Sequence, residues 1–267
     1  MALYQVIIAY DGTNFQGFQR QGRKRTVQAA IEDALRELGW LEPAILYAGR
    51  TDSGVHASGQ VISFDLVWKH TPEDLGRALN SSLPKDVAVC KIRMEKAGFH
   101  PRFDAVARQY HYRIYVQPGR DPLRDRYAWH VWPGVNPDLL HQSAECLTGM
   151  HDFAVFGSPL KKGGSTTREV FQALWWDQKD GDWSFRVIAN AFLYRMVRRL
   201  VFLQVLVGQK RIELSDFVAG LQIQKPLKPG LAKPNGLVLE RVYYAEDRLE
   251  PEGLFKTLSA SGEEFCG

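Results

Sequence analysis

The 267-residue sequence predicts an α+β fold of two ferredoxin-like halves, each ordered β-α-β-β-α-β, joined through a continuous antiparallel sheet with a central cleft. Three observations lead there. Short β-branched and aromatic runs alternate with amphipathic helical stretches, strands come in adjacent pairs between helices, and the whole order occurs twice. No residue-by-residue repeat accompanies the second occurrence, so the duplication rests on element order. Divided this way, residues 1–104 form the N-terminal half, 105–247 the C-terminal half and 248–267 an acidic tail.

The first strand, Leu3–Tyr10, is apolar and β-branched and ends at the turn pair Asp11-Gly12. After Thr26, a favourable N-cap, the apolar residues Val27, Ala30, Ile31, Ala34, Leu35 and Leu38 recur at helical spacing and stop at Gly39. Strands Ile45–Ala48 and Gln60–Leu66 flank the loop Gly49-Arg50-Thr51-Asp52-Ser53-Gly54-Val55-His56. Thr71-Pro72 opens a second helix, with Asp74 placed as in a capping box, and Leu83-Pro84 closes it before strand Val87–Met94. The second half follows as strand Gln109–Val116, helix Pro137–Leu147 after the cap Asn136, strands Val170–Trp176 and Trp183–Ala189, helix Phe192–Val207 and strand Leu237–Tyr244.

Composition excludes several classes. Hydrophobic residues at 45% and charged residues at 24% describe an ordinary globular chain, neither disordered nor membrane-embedded. No apolar run approaches the roughly 20 residues that span a bilayer, and the N-terminus enters a strand pattern rather than a signal peptide. Cys90, Cys146 and Cys266 are odd in number and lack C-x-x-C spacing, which points to a reducing cytoplasm and away from zinc or redox chemistry. The net charge of +4 is compatible with a polyanionic partner without establishing one. Gly163-Gly164 has no G-x-x-x-x-G-K-S/T context, so no nucleotide-binding motif is present.

Asp52 is the principal candidate for chemistry. A Gly-flanked aspartate can simply hold a turn through its own backbone, or, beside a guanidinium and facing a cleft, serve as nucleophile or general base. Tyr110 and Tyr112 alternate on a strand and share a face, either as core or as a platform for an unpaired base. The apolar helix from Phe192 carries Arg195, Arg198 and Arg199; a buried arginine there needs a partner, for which Asp52 is the natural choice, unless these side chains reach solvent or loop carbonyls. Basic clusters occur at Arg20, Arg23, Lys24 and Arg25, at Arg120 to Arg126 near Tyr127, Trp129 and Trp132, and at Lys161-Lys162, a composition suited to phosphate contacts with nearby stacking.

The run Ala48-Gly49-Arg50-Thr51-Asp52-Ser53-Gly54-Val55-His56-Ala57 resembles the signature of the A-type tRNA pseudouridine synthases. The likeness continues through Tyr10-Asp11-Gly12, Gln19-Arg20-Gln21, Thr26-Val27-Gln28, Phe99-His100, Arg102-Phe103, Tyr110-x-Tyr112, Met196-Val197-Arg198 and Gly236-Leu237-x-Leu239, and covers nearly all of residues 3–244. It implies the pseudouridine synthase fold, a homodimer, a tRNA anticodon-arm substrate modified at positions 38, 39 and 40, and neither metal nor cofactor. Asp52 is implied as the catalytic aspartate, Tyr110 as the residue that stacks on or deprotonates the base, Arg198 as the partner of Asp52, Leu237 as packing beside the site, and Arg50 as holding the flipped base. His56, Arg168, Arg20, Arg23, Lys24 and Arg25 complete the expected substrate-binding set.

Three positions depart from that family pattern: Phe18 replaces Trp, Pro101 stands where Ala is common, and Phe202 sits where Gly is favoured, one turn after Arg198. Two other readings compete. Paired RNA-recognition modules share the element order, but no G-F-G-F-like run supports them, and a binding module has no use for a carboxylate aimed at a polyanion. A nucleoside hydrolase could use the same acid and would release free uracil.

Overall fold

The computed structural model describes residues 1–178 and 181–247; the tail expected from residue 248 lies outside the described residues. Strand β1 (Ala2–Tyr10) buries Tyr4, Val6, Ile8 and Tyr10 on one face. Helix α1 (Val27–Glu37) starts where Thr26 accepts the Ala29 N–H, and lays Val27, Ile31, Ala34 and Leu35 into the core. Strands β2 (Leu46–Tyr47) and β3 (His56–Leu66) follow, then α2 (Pro72–Ser82), whose capping box is complete in both directions between Thr71 and Asp74, and β4 (Val87–Glu95). The second half comprises β5 (Ala105–Val116), β6 (Trp129–Val131), α3 (Pro137–Glu145), β7 (Gly149–Asp152), β8 (Thr167–Asp177), β9 (Asp182–Ala189), α4 (Met196–Gly208), α5 (Leu214–Gln222) and β10 (Leu237–Tyr244).

All the described strands belong to one sheet with the path β4-β1-β3-β10-β5-β9-β8-β7; β2 pairs with β3 and β6 with β5. Each half repeats one spatial order. In the first, β4, β1, β3 and β2 are the fourth, first, third and second strands; in the second, β10, β5, β9 and β8 occupy the same places. Pairing within these two sets is antiparallel, whereas the halves meet through a short parallel ladder, Val238 with His56 and Leu239 with Ala57. β2 and β10 therefore share one edge of β3 at different heights, β2 at Ile62 and Ser63 and β10 at His56 and Ala57. Between them a Cβ on Gly59 would lie 2.1 Å from the Glu240 carbonyl oxygen, so only glycine lets the two backbones approach.

One hydrophobic cluster runs through both halves, from Val6, Ile31 and Leu75 to Leu140, Phe185, Leu200 and Phe217. Full burial of a side chain such as Leu35 contributes about 1.5–3 kcal/mol relative to exposure. Among the described residues, no helix is long and apolar enough to cross a membrane.

One departure from expectation concerns the start of α4. A helix from Phe192 is expected, but residues 192–195 are not helical and α4 begins at Met196. Tyr194 instead exchanges backbone hydrogen bonds with Ser158, at 2.9 and 3.4 Å, and Arg195 adopts φ +63 at the helix boundary. Conversely β3 begins at His56, four residues before the expected Gln60, because β1 and β10 both offer pairing partners there.

Candidate active site

The loop carrying Asp52 is gripped by the segment after β1. Thr51 accepts the Phe18 N–H through its carbonyl at 3.1 Å, and its hydroxyl lies 2.8 Å from the Tyr10 hydroxyl. The Gly54 N–H and the Ser53 hydroxyl both donate to the Phe15 carbonyl, and Gln60 donates to the Gly49 carbonyl at 2.8 Å. The turn itself closes through backbone, Val55 N–H to Asp52 carbonyl at 3.2 Å. The Asp52 carboxylate is therefore not consumed in holding the turn, and its Oδ2 accepts from Arg198 Nη1 at 2.7 Å.

Arg198 reaches across from the first turn of α4. Its Nε donates to the Ala232 carbonyl at 2.9 Å, while its own carbonyl accepts the Ala232 N–H at 3.1 Å. The guanidinium is thereby aimed before it meets the carboxylate, and both side chains are largely buried, 14% and 20% exposed. Phe202, the bulky departure one turn on, is accommodated opposite Gly230, where a Cβ would lie 2.2 Å from its ring. The other departures are also packed: the Phe18 ring sits 4.8 Å from that of Tyr47, and buried Pro101 accepts a hydrogen bond from the Tyr244 hydroxyl.

The pair lies in a cavity of about 920 Å³, large enough for a nucleotide. Among the described residues its wall carries six cationic side chains, Lys24, Arg50, Arg102, Arg108, Arg195 and Arg198, against one carboxylate, Asp52. Such a wall attracts a polyanion and presents it with a single acid. Tyr110 forms another part of the wall, nearly buried and edge-on to Phe192 at 5.0 Å. Burial pushes its hydroxyl up to about 12, with Arg108 pulling it down and Asp52 pushing it further up, so at neutral pH Tyr110 is a phenol. Tyr112, on the same strand face, is fully buried and donates to the Lys233 carbonyl at 2.6 Å, a core residue rather than part of the cavity wall.

The remaining expected residues divide. Arg50, Lys24 and Leu237 line the cavity, Arg50 with its Nε 3.3 Å from the Tyr47 hydroxyl. His56 lies behind the loop, outside the cavity wall, where its Nδ1 accepts the Gly12 N–H at 3.0 Å. Burial lowers its pKa despite the nearby Asp11 carboxylate, in keeping with a neutral ring. Arg20 is bound to Glu32 at 2.5 Å and Arg25 to Asp86 through both terminal nitrogens, while Arg23 is exposed. Arg168 donates to the carbonyls of Ser165 and Thr167. The Arg120–Arg126 cluster is likewise engaged internally: Arg120 with Asp125, Arg124 with Asp182, Arg126 with Asp11.

Sequence reasoning missed Arg102, Arg108 and Phe192 as wall residues. Strand alternation was an available signal for Arg108, which shares a face with Tyr110. Arg195 was expected on a helix and reaches the wall because the chain is still non-helical there. Among the described residues, no group of three or more His, Cys, Asp or Glu side chains is placed to hold a metal ion.

A family model described as tRNA pseudouridine synthase matches residues 6–104 and 144–245, which carry Asp52, Arg198, Leu237 and the strands that meet at the junction. The chain is 36% identical over 255 residues to tRNA pseudouridine synthase A of Lactiplantibacillus plantarum, covering 93% of this chain and 97% of that protein. The protein of the same name from Methylacidiphilum infernorum is 38% identical, with 92% and 96% covered, and that from Streptomyces griseus 39%, with 91% and 88% covered. With the match extending over both halves of the sheet and the cavity between them, this chain belongs to the tRNA pseudouridine synthase family.

Proposed function

We propose that this protein isomerises uridine to pseudouridine in the anticodon stem-loop of tRNA, at positions 38, 39 and 40, with Asp52 as the essential acid. The observation that carries the reading is the Asp52–Arg198 pair, which sets the one carboxylate among the described wall residues into a cationic cavity of nucleotide size. A base within a stem cannot reach such a carboxylate, so the uridine is extruded into the cavity, and contacts there offset a few kcal/mol of unstacking. Arg50 helps hold the base flipped out, a role supported by its exposure on the Asp52 loop at the cavity wall.

In the reaction the bond between uracil N1 and the ribose anomeric carbon breaks, the base turns, and C5 bonds to that carbon. C5 loses its proton to solvent and N1 gains one, so the change is an isomerisation needing no co-substrate. Asp52 either attacks the anomeric carbon or removes the neighbouring ribose proton. Tyr110 supplies a ring face beside the base and a hydroxyl for proton movement. Arg198 orients Asp52 through its own bonds to Ala232. A homodimer, implied by the resemblance, belongs to the same proposal.

The test is to incubate the purified protein with unmodified tRNA transcripts, without added metal or nucleotide, and to map pseudouridine by carbodiimide labelling and primer extension. Stops confined to the anticodon arm are expected. Modification elsewhere only, or free uracil in the supernatant, would contradict the proposal.

A further inference from the structure

Beside the cavity the chain builds a turn at residues 100–104 that is rigid without help from its most conspicuous side chain. The Asp104 N–H donates to the His100 carbonyl at 3.1 Å and the Asp104 carboxylate accepts the His100 N–H at 2.8 Å. His100 Nδ1 accepts the Arg102 N–H at 3.1 Å. Arg108 donates to the Arg102 carbonyl at 2.6 Å and Tyr244 to the Pro101 carbonyl at 2.9 Å. Phe103 takes no side-chain part in these bonds and is 75% exposed, the most exposed aromatic ring among the described residues.

The ring is nevertheless placed. His100 backs it at 4.2 Å between centroids, and the guanidinium of Arg102, a cavity-wall residue, stands 5.8 Å from its centre. Arg108 ties this turn to the neighbouring one, donating to the Asn190 carbonyl at 2.9 Å; there Arg195 covers the ring of Tyr194 at 4.7 Å, and both residues line the cavity. A phenyl ring held in water by a preordered turn, with a cation beside it, is suited to stacking on a base, which is tolerant of base identity and fixes position.

Resting on the RNA-modifying reading above, we propose that Phe103 is a stacking platform for an unpaired base next to the uridine held at Asp52, with Arg102 taking the adjoining phosphate. Phe103 then acts on substrate position, and its loss falls more on KM than on kcat.

The experiment compares wild type with Phe103→Ala, Phe103→Leu and Phe103→Trp, measuring Kd for an anticodon-arm RNA and KM and kcat for tritium release from C5-labelled tRNA. Removal of the ring by Ala or Leu is expected to raise Kd and KM about tenfold, and Trp to restore wild-type values. Equal Kd and KM for wild type and Phe103→Ala, or full function in Phe103→Leu, would overturn the stacking role while wild-type turnover leaves the enzymatic reading standing. A wild type that releases no label overturns that reading, and this one with it.

Discussion

Asp52 and Arg198 are 146 residues apart in sequence and 2.7 Å apart in the structure, one on a loop of the first half and the other at the start of α4. The two halves thus meet in a salt bridge between side chains largely withdrawn from water. Arg198 is itself held by Ala232, so the carboxylate is positioned by a residue that is positioned in turn.

Arg198→Lys keeps the charge but cannot bond Ala232 and Asp52 through separate nitrogens of a planar fork. On the proposal that Arg198 aims Asp52, the substitution is expected to lower kcat on the order of a hundredfold through misplacement of the carboxylate, with little change in tRNA affinity. Steady-state kinetics with tritium release measures this, and an unchanged kcat would show that Asp52 needs no aimed partner.

Two residues before Ala232, which holds Arg198, Gly230 packs closely against the Phe202 ring. A Cβ on residue 230 would meet the Phe202 ring at 2.2 Å, and φ +146 there is itself a glycine conformation. Gly230→Ala is expected to destabilise the protein by about 1–3 kcal/mol. Combining it with Phe202→Ala should cost less than the sum of the single changes, because the smaller side chain vacates the space. Urea denaturation of the four proteins of the cycle checks this, and strict additivity would contradict the contact.

His111 lies on the opposite face of β5 from Tyr110, its ring stacked on Trp176 at 5.3 Å. Burial, followed by Arg113 and Arg186, lowers its pKa to about 3. In the unfolded chain the imidazole titrates near pH 6.5, so between those values the unfolded state binds a proton that the folded state refuses. The resulting stability is fully present above about pH 6.5 and is lost as pH falls toward 3. His111→Phe, which keeps a ring against Trp176, should reduce the slope of stability against pH in that window by up to about 1.4 kcal/mol per unit. Denaturation midpoints at a series of pH values decide it, and an unaltered slope would place the titration elsewhere.

Local signals carried much of the fold. Thr26, Thr71 and Asn136 announced their helices because each caps through a side chain accepting a backbone N–H. Helix α5 was not anticipated: its N-cap, Glu213, makes no side-chain cap bond, and nine residues give little room for periodicity. Strands β6 and β7 were missed because three or four residues that pair along existing strands leave no pattern of their own. The early start assigned to α4 shows tertiary context overriding propensity, since Tyr194 pairs with Ser158, a partner no local window contains.

The site was legible where the motif is contiguous and much less so where it is assembled. Asp52 stood out in its loop; the buried helix pointed to one of Arg195, Arg198 and Arg199 as its partner, and the resemblance singled out Arg198. Charge in sequence does not show whether a cation is already paired: Arg20, Arg25 and Arg120 are, Lys24 of the same run as Arg20 reaches the cavity wall, and Arg102 and Arg108 lie outside any run yet face the cavity.

If the Asp52 carboxylate performs the chemistry, replacing it by an amide of the same shape stops turnover while tRNA still binds. Wild type and Asp52→Asn are incubated with tRNA labelled with tritium at C5 of uridine, and release to water is counted alongside the tRNA Kd. Release by wild type, none by Asp52→Asn and a Kd within about twofold, less than about 0.5 kcal/mol, is the predicted result; sustained release by Asp52→Asn would show that the reaction proceeds without this carboxylate.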